Sequence, residues 1–563
     1  MTDTLRKIFC GLIFFSVIYW LMLNYGVAKL SDEIMQISQW NSFCLRGIFP
    51  IIIIGVAIFF VEKKHILSTL EWCIVIVGCI EAFYSLMQLY GFSYSNHSIF
   101  KLTGSFYNPG PLGGYLAITL PIALNMWLNI KVKKENLNKS ENITKFQKIN
   151  ILSQYYILIF TLVLLIIVLP STMSRTSWIS GCFGCIYVLL CSGILKKYLD
   201  KIKINKKLLL IIGVIILFLA GIGIWKVKSE SANGRLFLWK ISTLAVMDSP
   251  ISGHDIFSPA YGNAQEKYFA NIIEKKGYFN IGNEENIATS PDYAFNEYLQ
   301  FAILYGIPLT LLIIAFLVFA IFFAHKNKRF QFVGGIISLL VFCFASYPMQ
   351  IPAFVVLLII LTIGLIIPEN INYVYHKIIL ASLLSILAIF MIIKRPIYSE
   401  RIDLMQKWEK SQMFYNMKVY TKAAKYYAEM SDKMDWNGRF LYEYGHSLYK
   451  TEKYQDAIIE LNKCLNYLSD PMIFNVIGEC YQNLNNYSEA EKYYIRSSHR
   501  LPNRLYPHYL LYLLYANENY FKPENRKAEY EIIMNKFIKI ESEATREMRS
   551  KVENMEKLFK TNN

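Results

Sequence analysis

Asn296-Glu297-Tyr298-Leu299-Gln300, followed by Gly306, closes a polar segment that begins at Lys226 and opens an apolar run reaching Ala324. This stretch decides the fold. The segment from Lys226 to Tyr293 is the only long polar break among roughly eleven apolar spans, each near the ~20 residues a helix needs to cross a bilayer core. The spans read as 8–28, 44–61, 67–92, 112–130, 155–170, 175–195, 208–225, 296–324, 330–347, 353–367 and 378–393. With 54% hydrophobic and 18% charged residues among 563, the composition excludes an ordinary soluble protein. The expected fold is all-α: a polytopic membrane helix bundle over residues 1–395, holding the polar loop 226–293, and a soluble helical repeat domain over 396–563.

Arg6 and Lys7 precede the first apolar run as in a signal peptide. That run has no small-residue cleavage site and is followed by many further spans, which predicts a retained anchor. Lys and Arg collect in short cytoplasmic loops, and here they cluster at Arg6 and Lys7, Lys63 and Lys64, Lys131 to Lys148, Lys196 to Lys207, and Lys326 to Arg329. These clusters alternate sides as the span count requires. They predict an inner-membrane protein with a cytoplasmic amino terminus, and place the 226–293 loop and everything after Arg395 in the periplasm. The loops absorb most of the net charge of +16, so that charge is no argument for a nucleic-acid partner.

Ten cysteines are scattered along the chain. Cys182-Phe183-Gly184-Cys185 lies inside a predicted span, where small residues serve helix packing, and Cys464 and Cys480 have the spacing of buried thiols. Neither pattern is a disulfide scaffold or a zinc site. Glu284, Glu285 and Asp292 read as a solvated acidic patch. No metal and no cofactor is expected.

After Arg395 an internal repeat appears, with Tyr420-x-x-Ala423, Tyr454-x-x-Ala457 and Tyr487-x-x-Ala490 at spacings of 34 and 33, and Gly445 and Gly478 sharing the second interval. The pattern resembles tetratricopeptide repeats and implies about three helix pairs between Leu404 and Pro502, followed by capping helices. Such a stack binds a protein partner or forms a rigid cap. Tyr415, Tyr426, Tyr427, Tyr493 and Tyr494 read as packing residues.

The chemistry concentrates at the outer face. Arg175 follows Pro170-Ser171-Thr172-Met173-Ser174 at the outer end of a span, where the positive-inside bias gives a cation no topological role. Arg235 lies early in the polar segment, in the stretch Asn233 to Trp239 that reads as the opening of an amphipathic interfacial helix, and Arg46 is a third candidate near the outer end of the second span. Guanidinium groups pair with phosphate through two hydrogen bonds and stay charged, so arginines converging at one membrane face suit a polyprenyl diphosphate. Aromatic residues of the segment, Phe257, Tyr261, Tyr268, Phe269, Tyr278, Phe279 and Tyr293, read first as interface anchors and second as sugar-stacking rings.

Several elements, in order, resemble the O-antigen ligase and polymerase group, which includes bacterial protein O-oligosaccharyltransferases. They are Thr103-Gly104-Ser105-Phe106-Tyr107-Asn108-Pro109 with Gly113-Gly114-Tyr115-Leu116-Ala117 and Pro121, Ser174-Arg175-Thr176-Ser177-Trp178, Gly234-Arg235 with Trp239, Asp248-Ser249-Pro250 with Gly253, and Asn296-Glu297-Tyr298-Leu299-Gln300 with Gly306. Together they cover residues 100–310. The resemblance implies a glycosyltransferase that moves or polymerises glycan from an undecaprenyl-diphosphate carrier onto a hydroxyl of a glycan, a lipid A core or a protein, with inversion and without a metal. It implies Arg175, Arg235, Asn296 and His254 as catalytic candidates, and Arg46, Asn108, Trp239, Gln300 and Glu297 as substrate-binding ones.

Two departures stand out. The histidine that precedes the asparagine in that family is Phe295 here, and the glutamate expected two residues before the glycine is Leu304. A phenylalanine takes no proton. Asp292 and Glu297, within reach of the same helix start, and His254, elsewhere on the loop, are the substitutes, with Asp292 read first as a helix cap. The competing reading is a non-catalytic envelope scaffold whose repeats recruit proteins. A lipid-glycan flippase predicts more mid-span charge than Glu81 supplies.

Overall fold

The computed structural model describes residues 63–137, 144–193, 229–366, 400–401, 403–538 and 541–561, and every regular element among them is a helix. Arg46 and the predicted spans 8–28, 44–61, 208–225 and 378–393 lie outside the described residues. In chain order the helices begin with α1 (Lys63–Leu89), α2 (Pro109–Asn136), α3 (Lys145–Ser171) and α4 (Arg175–Cys191). Two helices of the polar segment follow, α5 (Ser229–Asp248) and α6 (Phe257–Lys276), and then the apolar α7 (Glu297–Lys326), α8 (Phe330–Cys343) and α9 (Pro352–Ile366). Each remaining predicted span coincides with one of these apolar helices. Among the described residues, α2, α3, α7 and the Leu67–Leu89 part of α1 are long and apolar enough to cross a membrane, while α4, α8 and α9 are apolar but shorter.

The described residues form two compact units. The first holds α1 to α4, Phe295–Glu297, α7 from Leu311 onward, α8 and α9. Lipid tails give helices no hydrophobic reason to associate, so small residues let backbones approach closely. A Cβ on Gly184 would meet the Gly334 carbonyl oxygen at 2.6 Å, and one on Gly114 would meet the Phe342 ring at 2.3 Å. Ser180 and Ser338 each donate to the other's carbonyl, at 2.7 and 3.0 Å, and lock α4 to α8. Gly184 thus plays the packing role expected of the Cys182–Cys185 stretch. Because the helices run alternately up and down, the connections 90–108, 172–174 and 344–351 and the start of α7 share one end of this unit.

The second unit joins the polar segment and Tyr298–Thr310 to the C-terminal helices. These comprise α10 (403–416), α11 (Tyr420–Ala428), α12 (Gly438–Lys450), α13 (Tyr454–Cys464), α14 (Pro471–Asn483), α15 (Tyr487–Arg500), α16 (Tyr506–Ala516), α17 (Pro523–Asn535) and α18 (Glu543–Thr561). Each Tyr-x-x-Ala element opens the second helix of a hairpin, and Ala423, Ala457 and Ala490 are fully buried. The turn two residues earlier has a left-handed residue every time: Lys418, Glu452 and Asn485, with φ of 60°, 64° and 59°. One local geometry therefore recurs with the sequence period. Cys464 and Cys480 are buried, as their spacing predicts.

The polar segment departs from its reading as a loop. It is mostly helical, and Phe257, Tyr261 and Phe269 are buried in the second unit instead of anchoring an interface. The composition misleads because α6 packs much of its polar surface against other polar side chains of the same unit.

Candidate functional site

In the first unit, two buried side chains of α1 hold the Thr103-Gly104-Ser105 turn. Gln88 Oε1 accepts from the Thr103 and Gly104 amides at 3.0 and 2.7 Å, its Nε2 donates to the Gly104 carbonyl at 3.1 Å, and Glu81 Oε2 accepts from the Ser105 amide at 3.1 Å. Gly104 has φ 56°, and a Cβ there would press on Leu112 and Glu81. The Asn-Pro pair that follows starts α2: Asn108 Oδ1 accepts from the Gly110 amide at 2.8 Å, and Pro109 occupies the position where a missing N–H costs nothing. Asn108, a substrate-binding candidate, thus caps α2 through Oδ1.

Arg175 is the first residue of α4 and half-buried. The chain reaches it through Met173, in the left-handed region at φ 52°. Ser177 then ties α4 to the first turn of α2, meeting Ser174 Oγ at 2.7 Å and donating to the Gly110 carbonyl at 3.3 Å, while the Trp178 indole donates to the Leu169 carbonyl at 2.9 Å. Gly113 makes room, since its Cβ would lie 2.7 Å from Ser177 Oγ. The starts of α2 and α4 therefore stand side by side, both presenting the positive end of a helix dipole. A cation at such a position does nothing for the helix; an anion suits it.

At the same end of this unit lie Phe295, Asn296 and Glu297. Phe295 has φ 48° and sets its ring edge-on to Tyr347 at 5.1 Å. Asn296 and Glu297 are buried. Glu297 Oε1 accepts from the Met349 amide at 2.7 Å, and its Oε2 has no hydrogen-bond partner among the described residues. Asp292 is exposed and too far before Glu297 to cap α7; Asn296 occupies that position instead.

The second unit holds the other candidates. The Trp239 indole donates to the Ala294 carbonyl at 3.1 Å, and the Ala294 amide donates to Gln300 Oε1 at 2.8 Å. Both side chains clamp the backbone just before Phe295. Arg235 sits one turn before Trp239 on the same face of α5 and is half-buried. Gly253 and Gly306, at φ 71° and 79°, bring two strands of backbone into contact. A Cβ on Gly253 would lie 2.5 Å from the Leu304 carbonyl oxygen, and one on Gly306 2.0 Å from that of Ile251. The His254 amide donates to Ile303 at 2.6 Å and the Ile307 amide to Pro250 at 2.8 Å. His254 also bonds the Ala245 carbonyl through Nε2 at 3.0 Å, which occupies that nitrogen structurally.

Arg175, Asn108, Asn296 and Glu297 thus belong to one end of the first unit, and Arg235, Trp239, His254 and Gln300 to the second. Sequence reading missed Gln88 and Tyr347, and gave Ser177 no role beyond its place in a motif. An uncharged polar residue such as Gln88 inside an apolar span was the available signal.

The metal-ligand chemistry is sparse: among the described residues no group of three His, Cys, Asp or Glu side chains is placed to hold an ion. No curated protein and no solved structure matches the chain. Residues 160–314 match the family model described as O-antigen ligase, a stretch from within α3 to within α7 that takes in Arg175, Arg235 and the Asn296–Gly306 element but not Thr103–Pro121. With several helices apolar enough to cross a membrane, that match supports a membrane protein of the O-antigen ligase kind, one that transfers glycan.

Proposed function

We propose that this protein transfers glycan from an undecaprenyl-diphosphate carrier to a hydroxyl acceptor at the periplasmic face of the inner membrane. The acceptor oxygen attacks the anomeric carbon, the bond from that carbon to the diphosphate oxygen breaks, and the configuration inverts. The leaving diphosphate gathers negative charge, which Arg175 and Arg235 neutralise in place of a metal. The proton of the acceptor passes to a base other than residue 295, and Glu297 is the carboxylate nearest in sequence to Asn296. About eleven spans, a cytoplasmic amino terminus and a periplasmic tetratricopeptide-like array complete the reading. Acceptors open to it are a growing glycan, a lipid A core or a protein; a protein partner of the array accords with the last.

The observation that carries it is the placement of Arg175, a guanidinium at the start of α4 beside the start of α2, where two helix dipoles already favour an anion. The test is deletion of the protein, then analysis of the accumulated lipid-linked glycan and of the molecules that no longer carry it. Unchanged glycan on every acceptor, with no accumulation, removes the proposal. The scaffold reading is favoured by Phe295, which replaces a proton acceptor with a ring packed on Tyr347. Restoring histidine at that position separates the two: increased transfer marks a degraded site, and unchanged transfer a relocated base.

A further inference from the structure

We infer that the C-terminal helical array serves the reaction by holding the polar segment in register, with Arg500 as the positioning residue; this rests on the transfer reading above. Gly262, Asn263 and Glu266 lie on one face of α6 at helical spacing. Arg500, at the end of α15 and 2% exposed, donates through Nη2 to Glu266 Oε2 at 2.6 Å and to Asn263 Oδ1 at 3.1 Å, and its carbonyl accepts from Gln265 Nε2 at 2.7 Å. Arg496 adds a bond to the other Glu266 oxygen at 2.9 Å. The approach is close enough that a Cβ on Gly262 would lie 2.4 Å from Ser469 Cβ and 1.9 Å from Arg500 Nη1.

A buried guanidinium tolerates no shift that separates it from its carboxylate, so these contacts fix α6 on the array at one angle and one height. Three further links flank them. Ser258 donates to Ser469 at 3.2 Å, Tyr278 meets Ser498 at 2.8 Å, and Lys536, itself buried, pairs with Glu285 at 2.9 Å. This face of the third hairpin is therefore occupied by the chain's own segment and is not a surface for a separate partner.

The placement passes onward through packed groups. Phe269 of α6 meets Phe237 of α5 at 5.8 Å, and Lys240 of α5 bonds both Tyr268 and Glu284. From α5 the Trp239 indole holds Ala294, and the Gly253–Leu304 and Gly306–Ile251 contacts hold the start of α7. Arg235 rides on the same α5. The array thus sets, within its own unit, α5 with the candidate diphosphate ligand Arg235 and the backbone as far as Ala294, and a misplacement of about 1 Å at a reacting group costs on the order of a hundredfold in rate.

The experiment uses the full-length protein in proteoliposomes with undecaprenyl-diphosphate-linked glycan as donor, and compares Arg500→Ala, Arg500→Lys and Gly262→Ala with the unaltered chain. Amide hydrogen exchange is followed over 257–294 and over α12 and α13, alongside turnover and the donor concentration at half-saturation. The expected result is faster exchange over 257–294, unchanged protection of α12 and α13, turnover lowered about a hundredfold with half-saturation little changed, and partial recovery in Arg500→Lys. Loosened 257–294 with full turnover overturns the inference, as does lost turnover with that segment still protected. Should Arg500→Ala loosen α12 and α13 as well, Gly262→Ala, which alters no charge, decides by the same two criteria. Absence of transfer by the unaltered protein sinks the transfer reading and the positioning role together, whereas an exchange change without consequence for turnover sinks only the latter.

Discussion

The two units spend their buried polar groups differently. In the membrane unit such side chains mostly face backbone: Gln88 and Glu81 hold the Thr103–Ser105 turn, Ser180 and Ser338 exchange bonds with each other's carbonyls, and Arg329 donates to the Gly364 and Leu365 carbonyls. In the other unit several face one another, as in Arg500 with Glu266, Arg526 with Glu556, His508 with Glu529, and Glu443 with Trp408 and Tyr427. The difference follows the composition of the helices. Backbone groups freed where apolar helices turn must be met by side chains, whereas a stack of amphipathic helices has paired side chains to fix which helix meets which. A glutamine in the first unit and a charged pair in the second therefore do the same work, that of placing backbone. Motif residues that resemble a family are then of two kinds, those that hold the chain and those left to meet substrate.

The largest expected effect tests that division. Arg175→Ala and Arg235→Ala should each lower transfer by roughly a hundredfold or more, as loss of a group that stabilises developing charge does, with the protein still in the membrane. Asn108→Ala and Gln300→Ala, which remove backbone-holding groups, should instead reduce the amount of folded protein. Assays of transfer per folded molecule separate the two classes. Normal transfer in both arginine variants breaks the comparison and favours the scaffold.

Next in size is Gly306→Ala. A side chain at φ 79° and ψ 166° is strained by about 1–3 kcal/mol before any contact is counted, and this Cβ would lie 2.0 Å from a carbonyl oxygen that backbone geometry fixes. The Gly253–Leu304 and Gly306–Ile251 contacts should open, and thermal unfolding of the second unit should fall by more than strain alone requires. By contrast Asn108→Ala should cost about 1 kcal/mol, the ordinary loss of a helix cap, and Asn108→Asp should restore it. A loss of transfer in Asn108→Asp with stability intact would return Asn108 to the substrate.

Much of this was legible in the sequence, and the omissions have causes. Tyr420-x-x-Ala423 and its recurrences mark hairpins because alanine is required where two helices touch. The apolar spans mark helices because lipid allows little else. The packing of the polar segment was not legible since its partners are residues more than two hundred positions away, such as Arg500 for Glu266, and composition carries no sign of a partner at that distance. Asn108, Trp239 and Gln300 were visible as motif positions, but a motif does not say which backbone groups its polar atoms hold; the bonds to Gly110 and Ala294 do.

The smallest expected effect sharpens the contrast from the side of the charged pairs. His446 in α12 stacks flat on Tyr442 and bonds Tyr415 through Nδ1 at 3.0 Å. Burial first, and then the nearby Lys450, push its pKa down from 6.5 to about 4. Between those values the unfolded chain takes up a proton that the folded array refuses, so this contribution to stability is complete above 6.5 and declines as pH falls toward 4. Glu491 behaves differently: burial raises its pKa, but bonds from Lys522, Tyr520 and Tyr515 outweigh burial and leave it below 4.5, so its contribution fades only in more acidic solution. Exchange protection of α12 should therefore drop between neutral pH and pH 5, and His446→Gln should flatten that drop while leaving the more acidic loss in place. If the variant retained the full decline over that interval, the proton would be entering elsewhere, with His499 of α15, whose pKa burial also lowers, the next group to substitute.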